Sequence, residues 1–535
     1  MADSTASGSS LKEHHRCSHN HNHDHDHGKK IQDSDTEDHH HGHDHKHHHH
    51  QENSSDISLH DDKDTDTLWI MSKNLGSVAI PIILGQIFSL FVEMLNLVFA
   101  GRLGDPIYVA AAGLGNMYAN VTCLLIIYGL NSAIATLCAQ AYGAGNLHQV
   151  GVYLNKGRIA NLLFFVPIFG VMFLCEPFLL AIKMDPRAAS LAQTYTYGIV
   201  VALFFQAQFD ATRQYLNAIK QSQVITYMMV AASIYHTIIL YVLVEVMGWG
   251  IYGCSWGTVI TYVINSFVVT FYCGYIRTDL KESFFFPTRE CFEDLWDYFK
   301  IGLPSSAMIS LEWWSFEIQA VMASYLGILY GGSMVILINT LTVLTMIPFG
   351  SQIAGAVFIG NCMGEGKPKK AKVYLQLITV YTFVTLAVCS TLLEVFKEWV
   401  ALLFTNQQEL LDVVTYNYKY VAIFLVIHGI GMSFGGALRG MGMQSIATKL
   451  VFCAFFLVGH PLSALFCFYF GIGLPGITIG FTCGSIAMGF LFYVMITCFA
   501  DWEQVSKDIR KRMRDNGAAQ KDGIADRELK ASLLH

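Results

Sequence analysis

The sequence predicts an all-α polytopic membrane protein, with twelve transmembrane helices in two pseudo-symmetric six-helix bundles. Three observations predict it. The 535 residues are 53% hydrophobic and only 14% charged, where soluble domains carry about 25% charged residues. The polar residues are crowded toward the ends, with 17 of the 22 histidines in the first 60 residues. What remains, roughly 74–500, is a series of apolar runs joined by short loops, and about 20 apolar residues cross a bilayer. Finally, the chain repeats itself at an offset close to 223 residues.

Hydropathy places helices near 78–100, 107–138, 158–182, 190–214, 222–246 and 251–274. A second set falls near 298–328, 333–360, 371–396, 412–437, 446–470 and 475–499. The resulting organisation is a disordered His/Asp-rich cytoplasmic tail (1–70), a six-helix bundle (71–275), a cytoplasmic linker (276–297), a second bundle (298–500) and a charged cytoplasmic tail (501–535). Twelve spans put both termini on one side. With that side taken as cytoplasmic, the even-numbered loops hold 14 Lys and Arg and the odd loops five, as the positive-inside bias requires. No cleavable signal peptide precedes the first apolar run, and the 13 cysteines form no CxxC pair.

The repeat is visible in four registers. Residues 81–104 align without gaps on 304–327, with Pro opening and Leu-Gly closing both. Gly129, Ala133, Ala135, Gly143 and Val152-Tyr153-Leu154 recur at 350, 354, 356, 364 and 373–375. Gln221-Ser222 returns as Gln444-Ser445, and Gly248, Gly250, Gly253 and Gly257 return as Gly471, Gly473, Gly476 and Gly480. Six spans per repeat keep both halves in the same orientation, the parallel-repeat design of secondary transporters, with the substrate path between the halves. A nucleotide-driven pump is disfavoured: the nearest approach to a phosphate-binding loop, Gly364-Glu365-Gly366-Lys367, lacks both its spacing and its hydroxyl. An enzyme is disfavoured too, since no nucleophile–base pair or cofactor motif emerges.

Ionisable side chains inside apolar spans cost about 3 kcal/mol at mid-helix and mark function or pairing. Glu312 and Glu317 share Ser310-Leu-Glu-Trp-Trp-Ser-Phe-Glu-Ile-Gln319, and Glu312 can exchange a proton across the bilayer or attract an organic cation beside Trp313 and Trp314. Five residues at 3.6 per turn put Glu317 about 140° round the helix from it, so the two need not share a face. His428 lies in a Gly-rich span and can titrate near neutrality. Glu93 has no acidic counterpart in the second repeat. Asp210, three residues before Arg213, reads first as a local ion pair, and His236 and His460 as packing histidines. The His-rich tail reads as a solvated segment, with metal buffering or pH-sensitive tethering as the functional alternative; no metal site is expected within the membrane.

Several strings occur together that resemble the eukaryotic branch of the multidrug and toxic compound extrusion (MATE) transporters. They are Leu311-Glu-Trp-Trp-Ser-Phe-Glu317, Ala100-Gly-Arg-Leu-Gly104, Ala141-Tyr-Gly-Ala-Gly-Asn146, Gly360-Asn-Cys-Met-Gly-Glu-Gly366 and Leu438-Arg-Gly-Met-Gly-Met-Gln444. The resemblance covers about residues 70–500. It implies two six-helix bundles around a V-shaped cavity and export by proton- or sodium-coupled antiport. It makes Glu312 the essential helix 7 carboxylate and Glu317 its companion, with Trp313 beside them. Gln86 and Asn120 match cavity-lining polar positions, and Asn339 a position that is acidic in some relatives. His428 replaces the usual Asp or Glu of helix 10, and Asn96 stands where bacterial relatives often carry Asp. Loss of the acid at 428 favours protons over sodium as the coupling ion.

The expected activity is therefore proton-coupled antiport of organic cations or other amphipathic solutes by alternating access, with Glu312, Glu317 and His428 in proton coupling and substrate binding. A sodium-coupled or organic-anion exporter of the same fold, a metal-ion transporter and a lipid flippase are the alternatives. The expected partners are a small-molecule substrate, protons and the lipid bilayer of the plasma membrane or an endomembrane. The protein is expected to be monomeric, without a cofactor or nucleic acid.

Overall fold

The computed structural model describes residues 68–516. The His-rich segment expected to be a tail, and the last residues of the charged segment, lie outside the described residues. Among the described residues the chain is helical, without strands. The first repeat comprises α1 (Leu68–Gly101), α2 (Pro106–Gly143), α3 (Leu147–Met172), α4 (Pro186–Ala218), α5 (Ser222–Val246) and α6 (Gly250–Ile276). The second comprises α7 (Leu295–Ser324), α8 (Ile328–Glu365), α9 (Pro368–Val395), α10 (Gln408–Gly440), α11 (Gln444–Tyr469) and α12 (Leu474–Phe499).

Ten of these are long and apolar enough on their own to cross a membrane. Helix α3 reaches span length together with Cys175–Ala181, across a bend of 53°. Helix α7 is 30 residues long, and Glu312 and Glu317 interrupt its apolar run. Helix starts follow capping chemistry: the Asp105, Asn146 and Asp185 side chains accept from the backbone N–H of Ile107, Gln149 and Ala188. Several helices extend beyond the hydropathy bounds, with α1 starting at Leu68 rather than near 78.

The packing obeys the repeat. Within the first repeat α1 packs on α5, α2 on α4, and α4 on α6; within the second, α7 packs on α11, α8 on α10, and α10 on α12. Between repeats α1 meets α8, α7 meets α2, and α2 meets α8. Exchanging the halves leaves this pattern unchanged, as an approximate two-fold between α2 and α8 requires. Equivalent bonds occur as well. Thr226 donates to the Pro81 carbonyl (2.6 Å) and Thr448 to the Pro304 carbonyl (2.7 Å), tying α5 and α11 to the proline turns of α1 and α7.

The contacts that join the halves are concentrated toward the side on which the chain enters at Leu68 and leaves after Phe499, here the terminal side. Gln140 donates to the Gly440 carbonyl (2.8 Å), Asn361 to the Ala218 carbonyl (3.1 Å) and Gln444 to Thr136 (2.9 Å). Two glycines allow the approach: a Cβ on Gly143 would overlap the Asn361 carbonyl, and one on Gly364 the Gln140 carbonyl. The segment expected as a charged tail from 501 includes a helix over 502–516 lying across this seam. Trp502, Ile509 and Met513 are buried; Ser506 donates to the Met363 carbonyl (2.8 Å) and Arg512 to Gln140. The linker is equally bound to the bundle, with Ser283 buried against Tyr215 and Asn155 donating to the Phe285 carbonyl.

Candidate functional site

Helix α7 brings Glu312 into the interior of the second repeat, and α10 brings His428 to meet it. Both are buried, at 5% and 0% exposure. Glu312 Oε1 and His428 Nε2 are 3.3 Å apart, at ion-pair distance but without hydrogen-bond alignment. The other ring nitrogen, Nδ1, faces the Ser485 hydroxyl of α12 at 3.3 Å. The imidazole stacks on Phe424, one turn earlier on α10, with ring centres 4.9 Å apart, and Phe316 and Phe455 stand around it. An apolar wall of this kind strengthens any charge interaction inside it. The pair can share, hold or pass a proton between an oxygen and a nitrogen. His460 reaches the same wall by another route, through Ser315 at 3.2 Å and a stack on Phe481.

Glu317 is not part of this pair. It lies on the exposed side of α7 with Trp314 and Val321, while Trp314 donates to the Val121 carbonyl of α2. Trp313 is half-buried with its ring against Phe316. Asn120 is half-buried at the π-type turn of α2, and Asn339 is exposed on α8. Asn96 is buried within the first repeat and donates to Thr258 of α6 at 2.9 Å.

The remaining predicted polar residue, Gln86, belongs to a network in the first repeat. Arg213 donates to Gln86 (2.6 Å) and to Asp210 through Nε (2.8 Å) and Nη2. Asn131 donates to the second Asp210 oxygen (2.8 Å), and Asn161 to Asn131 (2.7 Å). Asp210 is thus the ion-pair partner of Arg213, with Gln86, Asn131 and Asn161 around the pair. Glu93 is half-buried and within electrostatic reach of Tyr128. His236 is closed off by Thr261 at 2.7 Å.

One cavity lies between the halves, lined on α2 by Tyr128, Ser132 and Ala135 and on α8 by Phe349, Ile353 and Ala356. Each α8 residue is the repeat counterpart of an α2 residue at an offset of 221 (349 minus 128), so the cavity sits on the approximate two-fold. Arg213 and Gln214 of α4 and Arg439 of α10 complete it, with Ile309 one turn from Glu312. Sequence reasoning assigned both arginines to the loop charges. The structure corrects this: they are 5% and 3% exposed, because α4 and α10 continue past their apolar cores. Ser485 and the aromatic wall escaped the sequence as well, although Phe424 stands at the i−4 position that shares a helix face with His428.

The MatE family model matches residues 81–242 and again residues 304–465, an offset of 223 (304 minus 81). The chain is 28% identical over 442 residues to multidrug and toxin extrusion protein 2 of Mus musculus, covering 82% of this chain and 76% of that protein. It is 26% identical over 463 residues to protein DETOXIFICATION 5 of Arabidopsis thaliana, covering 84% and 95%. The crystal structure of the eukaryotic MATE transporter AtDTX14 superposes with a TM-score of 0.80 at 24% identity, over 83% of this chain and 99% of that one.

Proposed function

The chain belongs to the MatE family and is a multi-pass membrane efflux transporter of small-molecule solutes rather than an enzyme; we propose that it couples export to protons, with Glu312 and His428 as the exchanging pair. The observation that carries this reading is a buried carboxylate facing a buried imidazole at 3.3 Å. A sodium ion prefers a cage of oxygens, as hard cations do, and half of this pair is nitrogen. One proton gained or lost at either side chain changes the charge of this enclosed pocket.

In the proposed cycle Glu312 takes a proton when the cleft is open on the distal side, which releases a cationic solute held by the carboxylate. Return to the other state frees the proton and restores the negative charge for the next solute. Competition of two cations for one carboxylate gives the exchange its coupling. Glu317 and Trp314, on the exposed side of α7, are proposed to meet the solute before it reaches Glu312. Gln86, Asn96, Asn120, Trp313 and Asn339 serve as polar or aromatic supports along the two halves. The terminal side is proposed to be cytoplasmic. With buried Lys156, Arg213 and Arg439 set aside, the loop charges still divide 11 (14 minus 3) to five.

The test is transport in proteoliposomes with an imposed pH gradient and a fluorescent organic cation. Wild type is expected to accumulate or expel the dye with the gradient, and a sodium gradient is expected not to substitute. Glu312→Gln keeps the shape and loses the charge, and should abolish gradient-driven movement. Uphill export by Glu312→Gln at the wild-type rate would falsify the assignment.

A further inference from the structure

The cavity on the two-fold is lined by two arginines whose surroundings differ. Arg213 is satisfied by Asp210 and Gln86. Arg439 is not: Nε and Nη2 are buried and have no hydrogen-bond partner among the described residues. The Glu312 carboxylate is within electrostatic reach of it and stands at ion-pair distance from His428 without a hydrogen bond to Arg439. A buried charge is normally paired or neutralised, since its desolvation is otherwise uncompensated.

The other groups at the cavity lean the same way. Tyr128 accepts a hydrogen bond from Gln206 (3.1 Å), which leaves its own O–H free to donate. Its counterpart in the second repeat is Phe349, and that of Ser132 is Ile353, so on the second repeat's wall Arg439 stands among apolar residues, while Tyr128, Ser132, Arg213 and Gln214 line the first. A guanidinium with unpaired nitrogens beside a phenol O–H favours a negatively charged acceptor, which the Gln214 amide can also meet with its N–H groups. The space is about 20 Å³, room for one water-sized species.

We propose that this cavity is an anion site, in which Arg439 and Tyr128 hold a small monovalent anion between the two halves. The chemistry is shared by a free halide and by the carboxylate head of a transported solute. Because the anion would touch residues of both repeats, it would stabilise the state in which the terminal side is closed. This goes beyond proton coupling at Glu312 and does not depend on it.

The experiment uses the full chain in nanodiscs, with bromide replacing gluconate at constant ionic strength, followed by thermal unfolding and anomalous diffraction from bromide-soaked crystals. A saturable rise in Tm and an anomalous peak at Arg439 are expected. Arg439→Gln should remove both. Where that variant does not fold, Tyr128→Phe should weaken the apparent affinity about tenfold, the worth of one hydrogen bond to a charged group. Acetate that competes with bromide assigns the site to a carboxylate head, and indifference to acetate assigns it to a halide. No peak in the cavity, or an equal bromide response in wild type and both variants, overturns the proposal and leaves Arg439 a hydrated structural cation.

Discussion

The two repeats share a fold and a packing pattern but treat buried charge in opposite ways. In the first, Arg213, Asp210, Gln86, Asn131 and Asn161 form a chain in which the acid and base occupy each other. In the second, Glu312 and His428 face each other without hydrogen-bond alignment, and Arg439 keeps two unpaired nitrogens. In the first, carboxylate and guanidinium are joined by direct hydrogen bonds; in the second, the carboxylate has only an ion-pair distance to the imidazole, so a change of protonation there breaks no aligned bond. The duplication thus supplies two scaffolds, and in the proposed function it is the one carrying Glu312 and His428 that exchanges the proton.

The largest expected effect separates these two halves directly. Asp210→Ala strands Arg213 in the interior, and breaking a buried pair by removing one partner costs about 3–5 kcal/mol. Glu312→Gln removes a charge that has no aligned partner, and the amide can still face His428; a cost of about 1 kcal/mol is expected. Thermal unfolding of both variants in the same detergent reads the difference. Equal losses would mean that Glu312 is a structural ion-pair member and that the two halves hold buried charge alike.

The second effect concerns the seam. Helices α2 and α8 approach so closely at Gly143 and Gly364 that a methyl group would overlap carbonyl oxygens of the other half. Overpacking of this sort costs about 1–3 kcal/mol, paid only in the state with the terminal side closed. That shifts the population about 5- to 150-fold toward the opposite state. Gly364→Ala should therefore speed hydrogen exchange over 136–144 and 357–365, while Gly145→Ala, next to open space, gives a strained turn without separating the halves. Unchanged exchange in Gly364→Ala would show that the seam does not open.

Much of the architecture was legible in the chain, because duplication leaves a record. The proline, glycine and Gln-Ser coincidences near offset 223 anticipate the packing of α1 on α8 and α7 on α2, and Glu312 was visible as an acid stranded among tryptophans. What escaped depends on tertiary neighbours. Arg213 and Arg439 sit at helix ends where hydropathy falls, so they read as loop charges until Asp210 and Gln86 are seen to hold Arg213 and the cavity between the halves to take in both. The helix over 502–516 hides Trp502, Ile509 and Met513, spaced seven and four apart, inside a stretch rich in Lys, Arg and Asp. Asn96 carries no sign in the sequence that its partner is Thr258, 162 positions away.

The smallest expected effect tests whether the repeats differ only at their charges. Thr226 and Thr448 each hold a prolyl carbonyl of the kinked helix beside them, at 2.6 and 2.7 Å. A neutral hydrogen bond is worth about 1 kcal/mol, and valine keeps the shape while leaving the carbonyl unmet. Thr226→Val and Thr448→Val should each lower stability by about that amount, and by the same amount within error, because the geometry around Pro81 and Pro304 is repeated. A loss confined to one of them would place the asymmetry in the proline hinges of α1 and α7 as well as in the buried charges. The second repeat would then be the mobile half for mechanical as well as electrostatic reasons.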